Sequence, residues 1–173
     1  MDELLILVDK DDNQIGFLDK VSVHKNGVLH RAFSVFIFNS YGDLLLQQRA
    51  LNKYHSPGLW SNSCCSHPHL NELTSVATHR RLAEEMGISC SMNFAFSFVY
   101  KAEFDNGLTE HEFDHVYFGI SDVKPSPNHE EVNSWKYISI QNLKIDITKT
   151  PEKYTEWLKI CLPKVSEHLK LDN

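Results

Sequence analysis

Apolar residues in this chain gather into seven short runs of strand length, at residues 4–8, 15–18, 33–38, 44–47, 95–104, 113–120 and 135–140. Runs of this kind pair as strands, and they constrain the fold more than any other feature. Tyr41-Gly42-Asp43 reads as a hairpin turn, Asp105-Asn106-Gly107 as a second turn, and Lys124-Pro125-Ser126-Pro127 as a loop. Only two segments carry apolar residues at helical spacing. In residues 72–87 the positions are Leu73, Val76, Ala77, Leu82, Ala83 and Met86, and Gly87 can close the helix as a left-handed cap. In residues 151–169 they are Tyr154, Trp157, Leu158, Cys161, Val165 and Leu169, with Pro163 expected to kink or divide the helix. No internal repeat and no long linker interrupts the series. The expected fold is one α+β domain over residues 1–173, a mixed sheet with few helices.

Charge narrows the function classes. With 17 Lys plus Arg against 23 Asp plus Glu, the net charge is −6, which excludes a generically basic nucleic-acid binder. Asp2 and Glu3 precede the first apolar run, the reverse of a secretory leader, and no run approaches the roughly 18 apolar residues of a membrane span. The terminal Leu171-Asp172-Asn173 matches no lipidation signal. A cytoplasmic protein that engages neither membrane nor nucleic acid is expected. Cys64 and Cys65 are adjacent while Cys90 and Cys161 stand alone, so a disulfide scaffold is not expected and any special cysteine is chemical.

Several polar residues stand at spacings that place them together. His24 and His30 flank a loop at Gly27, and His67 follows the cysteine pair. Cys65 and His67 are two apart, as are Glu110 and Glu112, and in extended backbone residues i and i+2 project from one face. Each pair can line one pocket, although Glu110-His111-Glu112 also suits a solvated loop after the Asn106-Gly107 turn. On the first helix Arg81 and Glu85 share a face at i and i+4, which alone would fit a salt-bridged solvent surface. The segment also resembles the Nudix signature at Glu72, Arg80, Glu84, Glu85 and Gly87. It departs from it at Ser66, where the signature opens with Gly, and at Arg81, where it has Glu. In Nudix hydrolases such carboxylates hold Mg²⁺ ions that activate water at a diphosphate. An Arg at that position weakens water activation and adds a donor for a phosphate oxygen.

Further segments make the resemblance specific: His24 through His30-Arg31-Ala32-Phe33-Ser34, Gln48-Arg49-Ala50, and Pro57-Gly58-Leu59-Trp60-Ser61-Asn62-Ser63-Cys64-Cys65-Ser66-His67-Pro68. With Arg80-Arg81-Leu82, Glu84-Glu85-Met86-Gly87, Glu110-His111-Glu112 and Trp157, the chain resembles the flavin-independent, Nudix-fold family of isopentenyl-diphosphate isomerases. Its Cys-Cys-Ser-His-Pro and Glu-His-Glu forms are similar to the eukaryote-like branch. The resemblance implies a Nudix-like mixed sheet sandwiched by helices. It implies Cys65 and Glu112 as catalytic thiol and carboxylate, assisted by Tyr100. A metal would be held by His24, His30, His67, Glu110 and Glu112, and a diphosphate-bridged Mg²⁺ by Glu85. Lys20, Arg49, Lys53 and Arg81 would contact the phosphates, and Trp157 would cover the hydrocarbon.

Three imidazoles and two carboxylates exceed the four ligands of a tetrahedral zinc site, so five or six coordination is implied, and Zn²⁺, Mn²⁺ or Mg²⁺ all suit the donor set. The implied partner is a small molecule, isopentenyl diphosphate, and the oligomeric state is left between monomer and dimer. A Nudix hydrolase of a nucleoside diphosphate derivative is the competing reading, and a non-catalytic metal-binding fold the third.

Overall fold

The computed structural model describes residues 3–104 and 106–171; Asp2, Asp105, Asp172 and Asn173, named above, lie outside them. The first strands, β1 (Leu4–Val8) and β2 (Gln14–Asp19), form an antiparallel hairpin that runs directly into α1 (Lys20–Asn26). Then come β3 (His30–Phe38), β4 (Leu44–Arg49), β5 (Trp60–Ser61), β6 (Cys64–Ser66) and α2 (Thr74–Met86). The long hairpin β7 (Met92–Glu103) and β8 (Thr109–Ile120) precedes β9 (Val132–Ile138), α3 (Ile140–Lys149), a 3-10 turn (Pro151–Lys153) and α4 (Glu156–His168).

β3 is the axis of the molecule. Its residues 32–38 are all buried, as expected of a strand covered on both faces. One edge pairs in parallel with β8 from His30 opposite Glu112 to Phe38 opposite Ile120. The other edge meets β1 at His30, β6 from Phe33 to Val35 and β4 at Phe38, all antiparallel. The sheet is therefore mixed, as expected. Phe33, Val35 and Ile37 face α2 through Ala77, Leu82 and Met86, while Phe36 and Phe38 face α3 and α4 through Leu143, Leu158, Leu162 and Val165. Helices cover both faces, so the sandwiched sheet is what forms.

The differences from the sequence reading have physical causes. The loop at Gly27 forms as expected, but the residues before it fold as α1, a seven-residue helix with one buried apolar side chain, Val23; Asp19 caps its start by accepting from the Ser22 amide, and Gly27 ends it at φ 60°. α3 begins at Ile140, inside the run assigned to the last strand, because Ser139 accepts from the Asn142 amide and turns the chain. β5 and β6 are too short to show a periodicity. Pro163 lies inside α4 without dividing it, so the helix is continuous over its 13 residues. Gly87 caps α2 at φ 65°, as expected, and a Cβ there would stand 2.6 Å from the Ser126 carbonyl oxygen. β8 starts four residues before the expected strand and takes in Glu110-His111-Glu112, which overturns the solvated-loop alternative. All four cysteines are free.

Candidate active site and metal cluster

The register of the strands assembles the site. Glu112 is opposite His30 on one side and Tyr100 on the other, Glu110 is opposite Ala102, and Cys65 is opposite Ser34. Because paired residues project from the same face, His30, Ser34, Cys65, Tyr100, Glu110 and Glu112 share the face of the sheet that α3 and α4 cover farther along. β6 and β8 lie on opposite edges of β3, so the thiol and the carboxylate approach from two sides. Cys64, one residue away, points into the α2 core and is fully buried. A cleft of about 290 Å³ opens here, lined by Cys65, His67, Tyr100, Glu110, Glu112 and Trp157, with Arg49 against Trp157 and with Lys20, Lys53, Arg81 and Glu85 toward a cationic end.

His24 on α1 and His30 on β3, behind the cleft, meet His67 just past β6 and Glu110 on β8 from its wall, all buried, with one candidate ligand atom from each within 4.8 Å of the others. His24 Nε2 and Glu110 Oε2 face each other at 3.5 Å, and neither has a hydrogen-bond partner. Buried polar atoms are almost always paired, so two unpaired ones converging on a common point fit a cation between them. His30 Nδ1 is 2.9 Å from the Val28 carbonyl oxygen and must donate to it, which leaves Nε2 to face the cluster. Nε2 of His30 and of His67 are 3.2 Å apart, and Glu112 Oε1 lies 3.3 Å from His67 Nε2 and 3.7 Å from His30 Nε2. The donor set fits a divalent cation.

Glu112 also accepts a 2.8 Å hydrogen bond from the Tyr100 hydroxyl. Burial pushes its carboxyl up, but His30, Glu110 and that hydroxyl outweigh it and hold the group down at about 2. Burial pushes the Cys65 thiol up to about 12, so it keeps its proton at neutral pH. Asp114, next inward on the same face, accepts from Ser34 Oγ at 2.8 Å, and burial beside Glu112 pushes its carboxyl well up.

At the cationic end every candidate phosphate ligand has a neighbour. Lys20 pairs with Glu3 at 2.8 Å, and Lys53 pairs with Glu131. Arg81 donates to Glu84 at 2.8 Å and to Glu85 at 2.5 Å, while Gln47 donates to the other Glu85 oxygen at 2.8 Å. Glu72 is bound in two-pronged fashion by Arg80, both bonds 2.8 Å. The Arg49 guanidinium lies over the Trp157 ring at 5.1 Å, and the indole N–H donates to Ser61 Oγ at 2.8 Å. The cleft thus brings eleven of the thirteen sequence-derived candidates to its walls and keeps His24 and His30 behind it. Sequence reasoning missed Glu131, Gln47, Tyr54 and His55, which also line it. Lys53-Tyr54-His55 lies one residue before the Pro57 motif, and that proximity was the available signal.

Residues 28–158 match the model of the NUDIX domain. The chain is 56% identical to the isopentenyl-diphosphate Delta-isomerase of Serratia proteamaculans over 157 residues, covering 91% of this chain and 88% of that one. It is 52% identical to isopentenyl-diphosphate Delta-isomerase 2 of Aromatoleum aromaticum over 165 residues, or 95% and 87% of the two chains. The chain belongs to the isopentenyl-diphosphate Delta-isomerase family. Among solved structures, the DR0079 protein of Deinococcus radiodurans superposes with a TM-score of 0.79 at 20% identity, over 94% of this chain and 98% of that one, which shows a shared fold. In this isomerase family member the signature helix is kept, while two of its carboxylates, Glu84 and Glu85, are bound by Arg81.

Proposed function

We propose that the chain converts isopentenyl diphosphate to dimethylallyl diphosphate, the double-bond shift of isoprenoid biosynthesis, in the cytoplasm. The observation that supports this best is the placement of Cys65 on one edge of β3 and the Glu112–Tyr100 pair on the other, facing one cleft with a cationic end. The unactivated double bond shifts if one carbon gains a proton and another loses one, through a tertiary carbocation or a species close to it. Two proton carriers flanking a flat substrate supply that need. Lys20, Arg49, Lys53 and Arg81 would hold the diphosphate and keep it from departing. Trp157 would lie along the hydrocarbon, where an indole face stabilises a neighbouring cation by about 0.5 to 2 kcal/mol.

His24, His30, His67, Glu110 and Glu112 would hold Zn²⁺, Mn²⁺ or Mg²⁺, and Glu85 would take part in holding Mg²⁺ with the diphosphate. Bound there, a cation lowers the proton affinity of its carboxylate ligands and screens their charge. Hydrolysis is disfavoured because Arg81, which binds Glu84 and Glu85, stands where the Nudix signature has a Glu, so a water-activating centre lacks one of its carboxylates. The test is incubation with isopentenyl diphosphate and Mg²⁺, with organic products and phosphate followed together. Dimethylallyl diphosphate without phosphate release supports the isomerase, and phosphate release without it supports the hydrolase.

A further inference from the structure

The loop between β4 and β5 is closed at its base by Arg49 N–H to the Leu59 carbonyl at 2.9 Å and Gly58 N–H to the Arg49 carbonyl at 3.2 Å. Arg49 also donates from its side chain to the His55 carbonyl at 3.2 Å, which fixes the height of His55 above the cleft. The His55 side chain turns inward and is 9% exposed. Its Nε2 stands 3.3 Å from Glu110 Oε1, and its ring meets Trp157 edge-on, with centroids 5.7 Å apart and planes at 83°. On its far side the ring stacks on Phe104 at 5.6 Å.

These contacts divide the work of one carboxylate. With Oε1 of Glu110 turned to His55, Oε2 is the oxygen that faces His24 Nε2 in the metal cluster. A carboxylate is free to rotate about its last bond, so an outer partner is what selects the oxygen presented to a metal. The same imidazole ring, set perpendicular to the indole, limits where the indole can lie. We propose that His55 is a positioning residue that couples the metal cluster to Trp157, orienting Glu110 through its Nε2 and the indole through its ring. This rests on the isomerase reading, in which Glu110 ligates metal and Trp157 covers the hydrocarbon.

The test needs no turnover, so its failure is separable from failure of that reading, which the product assay decides. Chelator-stripped protein is titrated with Zn²⁺ against a metal indicator while tryptophan emission is recorded on the same samples. In the unchanged protein the emission should shift in step with Zn²⁺ occupancy, and Trp157→Phe should abolish the shift. His55→Phe keeps the packed ring and loses Nε2, so Zn²⁺ affinity should fall about tenfold to a hundredfold, the usual effect of losing an outer-shell partner. His55→Gln keeps an N–H that can reach Glu110 and loses the ring. Its Zn²⁺ affinity should stay close to that of the unchanged protein while the metal-dependent emission shift disappears. The proposal is overturned if the unchanged protein shows no shift on Zn²⁺ binding, if both variants lose affinity equally, or if both keep the shift.

Discussion

Adjacent cysteines meet opposite surroundings because side chains alternate across a strand, and β6 is three residues long with Cys64 and Cys65 in its first two places. Cys65→Ala should lower kcat by about 10² to 10⁴, the usual contribution of a positioned acid or base, with metal content unchanged. Cys64→Ala should keep kcat and lose about 1 kcal/mol of stability to the small cavity it leaves in the α2 core, read as a lowered denaturant midpoint. Equal losses of activity in steady-state assays of the two would remove Cys65 from the mechanism. Arg81 offers a second contrast, since it already binds Glu84 and Glu85. If it also binds phosphate, Arg81→Ala should raise KM about tenfold or more, one charge-assisted hydrogen bond being worth about 1.5 to 3 kcal/mol. Unchanged kinetics would reduce it to a helix salt bridge.

At the scale of elements, the entry to α2 is tied down by Glu72, which accepts two bonds from Arg80 and one from the His69 amide at 2.8 Å. The Arg80 guanidinium is the main cause holding its carboxyl down at about 2, against an ordinary value near 4.5. A depressed carboxylate stabilises the fold fully above its unfolded value and less as pH falls toward the folded one. Urea midpoints of the unchanged protein and of Glu72→Gln should therefore differ at pH 6 and converge between about 4.5 and 2. A constant gap across that window would show that Glu72 contributes nothing through its charge. Elements were legible where burial and apolarity coincided. β1, β3, β4 and α2 announced themselves by apolar runs, and Gly87 by its cap. The start of β8, residues 109–112, did not, because its inward positions there are Glu110 and Glu112, buried acids that read as a polar loop. Glu110 and Glu112, which hid the start of the strand, line the site; their spacing allowed one pocket, and the motif resemblance gave them roles. α1 was hidden because capping by Asp19 and Gly27, rather than an apolar stripe, holds it.

Across the whole molecule, the candidate metal ligands His24, His30, His67 and Glu110 come from a helix after the first hairpin, the central strand, the residue after β6 and the start of β8. Elsewhere α1 reaches β8 through slighter contacts, such as His111 Nδ1 with the Gly27 carbonyl at 2.9 Å. Chelation should therefore lower amide protection across residues 20–32 together with activity, and reloading should restore both, with stability rising by mass action in free metal. Full activity in a metal-free preparation would remove the cluster from the mechanism, and activity that needs metal without added protection would remove its role in closing the site. How distant segments meet could not be read from spacing, since nothing in the order of His30, Cys65 and Glu112 states that β3 runs between β6 and β8. The central claim is that protein groups on two sides of the substrate add one proton and take another. Turnover of isopentenyl diphosphate by the metal-loaded protein in D₂O, followed by NMR, tests it most directly. Dimethylallyl diphosphate carrying solvent deuterium is the predicted result; product without deuterium, as from a direct hydrogen shift within the substrate, would contradict it.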